Sequence, residues 1–199
     1  MSRVPRGKLS RRCRSDLMLM SGVRERKYKE SPPGGGSYKR PSDYGNQLQM
    51  KQIIRYYYGL KEHQSRGLYA IADRKKGATG INLLLLLECR LDNLVYRMGF
   101  ASTRRDARQL IVHGHILVNG QKVDRSAFMV KASDVIEVAE KSKKSARVLF
   151  GMEAYKLREE ALWLEVDHNQ VKGVFNSLPS IEQLPAEFKV KLVVELYSK

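Results

Sequence analysis

Residues 90–125 read RLDNLVYRMGFASTRRDARQLIVHGHILVNGQKVDR, and the patterns in this stretch decide the fold. Its first apolar residues recur at i, i+3, i+4 and i+7, which predicts a helix with a single apolar stripe. They are Leu91, Leu94, Val95 and Met98. Gly99 predicts the end of this helix, because glycine adopts a left-handed conformation at little cost. Arg90, Asn93 and Arg97 are expected on its exposed flank.

A second helix is predicted directly after this one. Ser102 is a good N-cap, and the core positions are expected to be Ala107, Leu110 and Ile111. Arg104, Arg105 and Arg108 are expected to leave the helix on one side. Guanidinium groups bind phosphate through two parallel hydrogen bonds, and a helix N-terminus favours anions. The pattern therefore predicts a phosphate-binding flank.

The end of the stretch predicts a β-hairpin. Asn-Gly between two apolar segments is the strongest short hairpin signal, and here Asn119-Gly120 separates residues 115–118 from residues 121–123. A polar turn at 131–134 then precedes a strand at 135–138. The unit as a whole is predicted to be two short helices packed on a small antiparallel sheet.

The preceding segment is predicted to be helical. A helix is expected from Ser42 to a stop at Gly59, with Lys51, Arg55 and Tyr58 opposite its apolar side. Cations beside an aromatic ring suit RNA, although a solvated polar face with Tyr58 half buried is the alternative. Further helix is predicted for residues 60–76, and residues 83–87 are expected to form a buried helical segment.

The composition indicates an anionic partner. The chain has 199 residues, with 37 Lys and Arg against 21 Asp and Glu, for a formal net charge of +16. Residues 1–45 hold 12 basic and 4 acidic side chains, whereas residues 151–199 hold 6 and 8. Nucleic acid is the leading candidate, because phosphate neutralisation releases counterions. Residues 1–41 are interpreted as a basic arm that orders on its partner, with a solubilising tail as the alternative.

Several classes of protein are disfavoured. The only long apolar run, 83–87, is too short to span a bilayer, and no secretory signal is evident. Two distant cysteines and the isolated pair His113 and His115 lack the further ligands that a metal site needs, so no metal or cofactor is predicted. No motif of an active site is present, which argues against an enzyme. A cytoplasmic, reduced location is expected.

Several stretches of the sequence resemble a known family. RLDNLVYRMGF, ARQL and HGHILVNG are similar to the small RNA-binding module named after the fourth protein of the small ribosomal subunit. SRRCRSDLML, SDYGNQLQMKQ, YGLKEHQSR, TGINLLLLLE, WLEVD and VELYSK extend the resemblance to the ribosomal protein family itself, in its bacterial or organellar form. Some members bind zinc through N-terminal cysteines, but Cys13 stands alone in this segment. An organellar source would place the protein in a stroma or matrix.

The resemblance implies an α+β fold with a basic arm at 1–41, a helical domain at 42–88 plus 171–199, and an inserted RNA-binding module at 89–170. It implies an RNA-binding surface drawn from the module, the helical domain and the arm. These residues are Arg90, Asp92, Tyr96, Ser102, Thr103, Arg104, Arg105, Arg108, Gln109, His113, His115, Asn119 and Lys122, then Tyr44, Lys51, Arg55 and Tyr58, and finally Arg11, Arg12 and Arg14. Asp92 is expected to fix local structure, since an anion near RNA must orient a cation or hydroxyl to be tolerated.

The family resemblance also implies a role without chemistry. Its members bind small-subunit rRNA in the 5′ domain, nucleate assembly, and line the mRNA entry channel beside ribosomal proteins three and five, with effects on decoding accuracy. Many bacterial members repress translation of their own operon, which is left open here. Two alternatives stand beside this hypothesis: an RNA-modifying or tRNA-charging enzyme that carries the module as an anchor, and a stand-alone regulatory RNA binder.

Overall fold

The computed structural model describes residues 42–156, 158, 160–185 and 187–198. The predicted arm at 1–41, with Arg11, Arg12 and Arg14, lies outside the described residues. In chain order the helices are α1 (Asp43–Tyr57), α2 (Glu62–Asp73), α3 (Thr79–Glu88), α4 (Leu91–Arg97), α5 (Arg104–Val112), α6 (Glu140–Lys143), α7 (Ala146–Tyr155) and α8 (Val190–Tyr197). The strands are β1 (Ile116–Val118), β2 (Gln121–Lys122), β3 (Val135–Val138), β4 (Leu164–Asp167) and β5 (Lys172–Phe175), and a 3₁₀ turn spans Ile181–Gln183.

Two structural units are present, and the first is helical. Its described residues are 42–83 and 187–198. The Ser42 side chain accepts a hydrogen bond from the Gly45 amide and caps α1, which begins next to the predicted start at Ser42. α1 packs on α8, where the Gln47 side chain donates to Glu195 at 2.9 Å. The C-terminal helix therefore belongs to the same unit as α1.

The second unit, residues 84–185, contains a five-stranded antiparallel sheet in the order β2-β1-β3-β5-β4. α4 and α5 pack against each other, and their apolar stripes enter the core that the sheet provides. Leu91, Leu94, Val95 and Met98 are all fully buried, which confirms the predicted stripe. The fold is α+β, as the sequence predicts.

The hairpin has the predicted turn. Asn119 and Gly120 have φ values of 51° and 76°, the left-handed pair that a two-residue hairpin of this type requires. Val118 pairs with Gln121 across it, and β1 continues the sheet by pairing Leu117 with Glu137 of β3. The turn thus sets the register of the strands that follow α5.

The sheet extends further along the chain than the sequence placed it. β5 pairs with both β3 and β4, for example Ile136 with Gly173 and Val166 with Gly173. Residues 172–175 therefore lie in the sheet, not with the helical segment that was expected to begin at 171. The physical reason is that β5 occupies an internal position, where its backbone pairs on both sides and Phe175 is fully buried.

Candidate nucleic-acid interface

An exposed polar stripe follows α5 and continues onto the hairpin. Arg105, Arg108, Gln109 and His113 share one side of the helix at spacings of three and four residues. Arg105, Gln109 and His113 are exposed, and the Arg108 side chain is 27% exposed. The exposed Lys122 lies at the C-terminal end of this side, because its side chain packs against Gly114, which follows His113. These five residues form what we call the α5 stripe.

Asp92 supports this stripe from inside the protein. Its carboxylate accepts two hydrogen bonds from Arg90, at 3.1 and 2.8 Å, and one from the Arg108 Nε at 2.7 Å. The side chains of Arg90 and Asp92 are only 4% and 2% exposed. Arg90 was expected on an exposed flank, but it is buried because its guanidinium pairs with this desolvated carboxylate. Asp92 fixes local structure, as predicted.

A second buried carboxylate organises the other arginines. Glu88 is fully buried, and it accepts hydrogen bonds from Asn93 and from Arg97 Nη2, both at 2.6 Å. Asn93 in turn accepts a bond from Arg104 Nε at 2.8 Å. Asn93 and Arg104 are therefore buried members of a polar network, and neither projects from an exposed flank. The expectation that three arginines leave α5 together is wrong for Arg104.

Tyr96 is buried beneath two guanidinium groups. The guanidinium carbons of Arg104 and Arg158 lie 4.4 and 4.1 Å from the centre of its ring. The ring is only 6% exposed, so Tyr96 supports the arginines and does not present its own surface to RNA.

The N-terminus of α5 is capped by the protein itself. Thr103 is the N-cap, since its hydroxyl accepts a hydrogen bond from the Asp106 amide at 3.1 Å. The predicted N-cap, Ser102, is one residue too early. The Asp106 carboxylate lies at hydrogen-bond distance from the Ser102 amide, at 3.4 Å. An acidic side chain thus lies where the sequence suggested an attraction for phosphate.

The hairpin residues are held by nearby polar groups. Asn119 donates from its amide to Asp134 and accepts from the Val135 amide, both at 2.9 Å, which fixes the exposed turn. His115 Nδ1 lies 2.8 Å from the Ser142 hydroxyl, and its ring centre is 6.1 Å from that of His113. Asn119 and His115 therefore present fixed polar groups at the hairpin end of α5.

The first unit contributes a separate set of candidates. Tyr44 is 59% exposed near the start of α1. Lys51 and Arg55 both pair with Glu62 of α2, at 2.8 and 2.6 Å. Burial of Glu62 opposes ionisation, but the hydrogen bonds and charges of Lys51 and Arg55 outweigh it and lower the pKa of Glu62 below its ordinary 4.5.

Tyr58 does not lie on this surface. It is only 1% exposed and its ring meets those of Tyr57 and Phe188 at centroid distances of 4.9 and 6.1 Å. The prediction that Tyr58 shares an exposed face with Lys51 and Arg55 is wrong, because aromatic packing in the core draws the ring inward.

Two supporting residues were not predicted from the sequence. Arg158 donates to the backbone carbonyls of Tyr96 at 2.9 Å and Ser102 at 2.7 Å, and so joins the ends of the α4–α5 connection. No local pattern marks Arg158, which lies far along the chain from its partners. Glu88 gave one weak signal, since it interrupts an apolar run with a charge.

None of the described helices is long and apolar enough to cross a membrane. Among the same residues, no group of three His, Cys, Asp or Glu side chains is arranged to hold a metal ion.

The chain is similar to known proteins over nearly its whole length. Residues 89–136 match the family model of the S4 domain, and residues 2–88 match that of the ribosomal protein S4/S9 N-terminal domain. The small ribosomal subunit protein uS4 of Coxiella burnetii (strain RSA 493 / Nine Mile phase I) is 50% identical over 98% of this chain and 97% of its own length. The corresponding protein of Shewanella violacea is 52% identical over the same shares. The similarity therefore includes both structural units.

Proposed function

The chain belongs to the uS4 family, a structural and non-enzymatic family of the small ribosomal subunit, and from this premise we propose that it binds small-subunit rRNA directly. The observation that carries the proposal is the α5 stripe. It places three cations, Arg105, Arg108 and Lys122, on one side of a helix and its hairpin within the matched S4 domain. Cations and polar side chains in such an array suit the phosphate and sugar edge of a folded RNA.

The proposed contact surface separates into touching and supporting residues. Gln109, His113, His115, Asn119, Ser102 and Thr103 supplement the cations of the α5 stripe, and Tyr44, Lys51 and Arg55 form a second contact area on the first unit. Arg90, Asp92, Tyr96 and Arg104 are buried and act by holding the surface in place. This division separates buried supporting residues from residues that are at least partly accessible to solvent.

We further propose a role early in subunit assembly. Binding to the 5′ domain of small-subunit rRNA would make the chain a nucleator of assembly. Contact with ribosomal proteins three and five would place it at the mRNA entry region, with an influence on decoding accuracy. Membership of the uS4 family supports these roles, and the net charge of +16 supports an RNA partner.

The proposal is tested by binding of the full chain to 5′-domain rRNA and to an unrelated structured RNA of equal length. An Arg105→Ala/Arg108→Ala variant should lose affinity for the 5′ domain. Its slope of log affinity against log salt should be shallower by about 0.9 for each lost phosphate contact. Arg104 is left intact, because its removal would disturb the core network.

The matched control is Arg66→Ala/Arg147→Ala, which removes two exposed arginines outside the stripe and leaves the same net charge. Equal losses in both double variants would mean that charge alone drives binding. Equal affinity of the unmodified chain for both RNAs would overturn the proposal of specific rRNA binding. Assembly is tested separately, by whether the 5′ domain of small-subunit rRNA still assembles with the other ribosomal proteins when the chain is omitted.

A further inference from the structure

We propose that Asp92 is a positioning residue for RNA recognition, which acts by fixing the direction of Arg108 in the α5 stripe. This inference rests on the proposed rRNA binding and names the group that gives one of its contacts a defined geometry. In this role Asp92 does not contact RNA, and it does more than stabilise the fold.

Two arginines bind the Asp92 carboxylate, the buried Arg90 and the partly exposed Arg108. One side of Asp92 is occupied by Arg90, which donates through Nε and Nη2 to the two carboxylate oxygens. This pair is buried, and its two hydrogen bonds orient the carboxylate. Arg108 then donates its Nε to the oxygen Oδ2, at 2.7 Å. A fixed carboxylate therefore sets the angle at which the Arg108 side chain leaves α5.

Asp92 and Arg108 differ in their exposure to solvent. The Asp92 side chain is 2% exposed and that of Arg108 is 27% exposed, so the ion pair joins the interior to the surface. An arginine tethered through Nε loses less side-chain freedom when its guanidinium meets a phosphate, because part of the ordering has already occurred. The geometry thus preorganises one cation of the stripe.

The negative charge of Asp92 distinguishes a positioning role from a purely electrostatic one. An acidic group beside an RNA-binding surface repels phosphate, so removing it should strengthen binding if only charge mattered. A positioning role predicts the opposite sign for the specific RNA. The two explanations therefore predict changes in affinity for the specific RNA that have opposite signs, and not only different sizes.

The first test is Asp92→Asn, which keeps the shape and raises the net charge by one. We expect affinity for 5′-domain rRNA to fall about fivefold to tenfold, the loss of roughly one contact, while affinity for the unrelated RNA stays level or rises. The control is Asp124→Asn, which makes the same change of charge at an exposed position. Its affinity for both RNAs should stay level or rise together.

Asp92→Asn leaves the buried Arg90 without its charged partner and could unfold the protein. The second variant, Arg90→Met/Asp92→Leu, replaces the buried pair with apolar residues and keeps the net charge, a change that folded proteins often tolerate. Arg108 is then intact but has lost its ion pair with Asp92. We expect the same selective loss for 5′-domain rRNA, with circular dichroism confirming a folded chain.

The decisive measurement places each change in an Arg108→Ala background. If Asp92 acts through Arg108, its substitution causes no further loss of specific affinity there. A loss as large as in the unmodified chain, or equal affinity of folded Arg90→Met/Asp92→Leu and unmodified protein for 5′-domain rRNA, would overturn the inference. If the unmodified chain shows no preference for 5′-domain rRNA, the proposed function itself fails.

Discussion

Two neighbouring arginines of α5 serve different purposes. Arg104 is 7% exposed, hydrogen-bonded to Asn93 and stacked over Tyr96, whereas Arg105 is exposed and has no ion pair with a described residue. Helical spacing alone places Arg104 and Arg108 on one side, but the side that they share partly faces a buried network. The sequence therefore predicted correctly that these positions are basic, but it predicted incorrectly that Arg104 is exposed.

Substitution of these two arginines should separate stability from binding. Arg104→Ala removes the donor to a buried Asn93 oxygen and a stacked guanidinium, so we expect the free energy of unfolding to fall by about 2 kcal/mol. Arg105→Ala should change it by less than about 0.5 kcal/mol while weakening RNA binding. Urea denaturation and RNA titration measure the two effects, and a larger loss of stability in Arg105→Ala would contradict this assignment.

Gly114 and Gly120 form a second matched pair at the residue scale. Both have positive φ, 72° and 76°, so alanine at either position should destabilise the fold by about 1 kcal/mol. Only at Gly114 would the new methyl group meet a neighbour, since Lys122 Cε would lie 1.8 Å away. We expect Gly114→Ala to displace Lys122 and weaken RNA binding, and Gly120→Ala to leave binding unchanged. If the two folded variants bind RNA equally well, Lys122 does not contribute to binding by the α5 stripe.

At the scale of helices, two glycines have opposite surroundings. Gly67 in α2 has open space where a Cβ would lie, whereas a Cβ on Gly151 in α7 would be 2.9 Å from the backbone of Ala101. We expect Gly67→Ala to stabilise the protein by about 0.5–1 kcal/mol through helix propensity. Gly151→Ala should destabilise it by about 1–3 kcal/mol, because α7 must move away from the α4–α5 connection. Thermal unfolding of both variants measures the signs, and a stabilised Gly151→Ala would contradict the close packing.

The link between α1 and α2 should depend on pH. The pKa of Glu62 is lowered in the folded protein, so its contribution is present above the unfolded value near 4.5 and is lost as the pH falls through the lower folded value. Glu62→Gln should therefore lower the free energy of unfolding by about 0.5–1 kcal/mol at neutral pH, a modest effect for a partly exposed group. The difference should vanish in acid. A difference that persists once the Glu62 carboxyl is protonated in both states would show that charge is not its source.

Elements with a local signal were predictable, and elements without one were not. The apolar stripe of α4, the start of α1 near Ser42, the end of α4 at Gly99 and the Asn119-Gly120 turn each depend on residues close in sequence, and all are confirmed. β5 depends on pairing with β3 and β4, so its place in the sheet was missed. The same limit applies to the site, where the exposed Arg105 could be predicted but the burial of Tyr58 and the role of Arg158 could not.

At the scale of the whole molecule, the family and the charge give different kinds of information. The resemblance seen in the sequence is confirmed by relatives about 50% identical over nearly the full length. The charge of +16 gives attraction to any RNA, while the α5 stripe is a defined array that one RNA can match better than another. Affinity and preference should therefore respond differently to salt.

Raising the salt concentration should lower affinity for every RNA but increase the preference for 5′-domain rRNA. Counterion release weakens with salt for both RNAs, whereas hydrogen bonds and shape complementarity are less sensitive and are made only with the matching RNA. Titrations at several concentrations between about 50 and 200 mM salt, a range across which several phosphate contacts weaken strongly, measure the ratio of the two affinities. A rising ratio supports a positioned interface. A ratio that falls to one would mean that phosphate contacts alone account for the preference, without a contribution from salt-insensitive hydrogen bonds or shape complementarity.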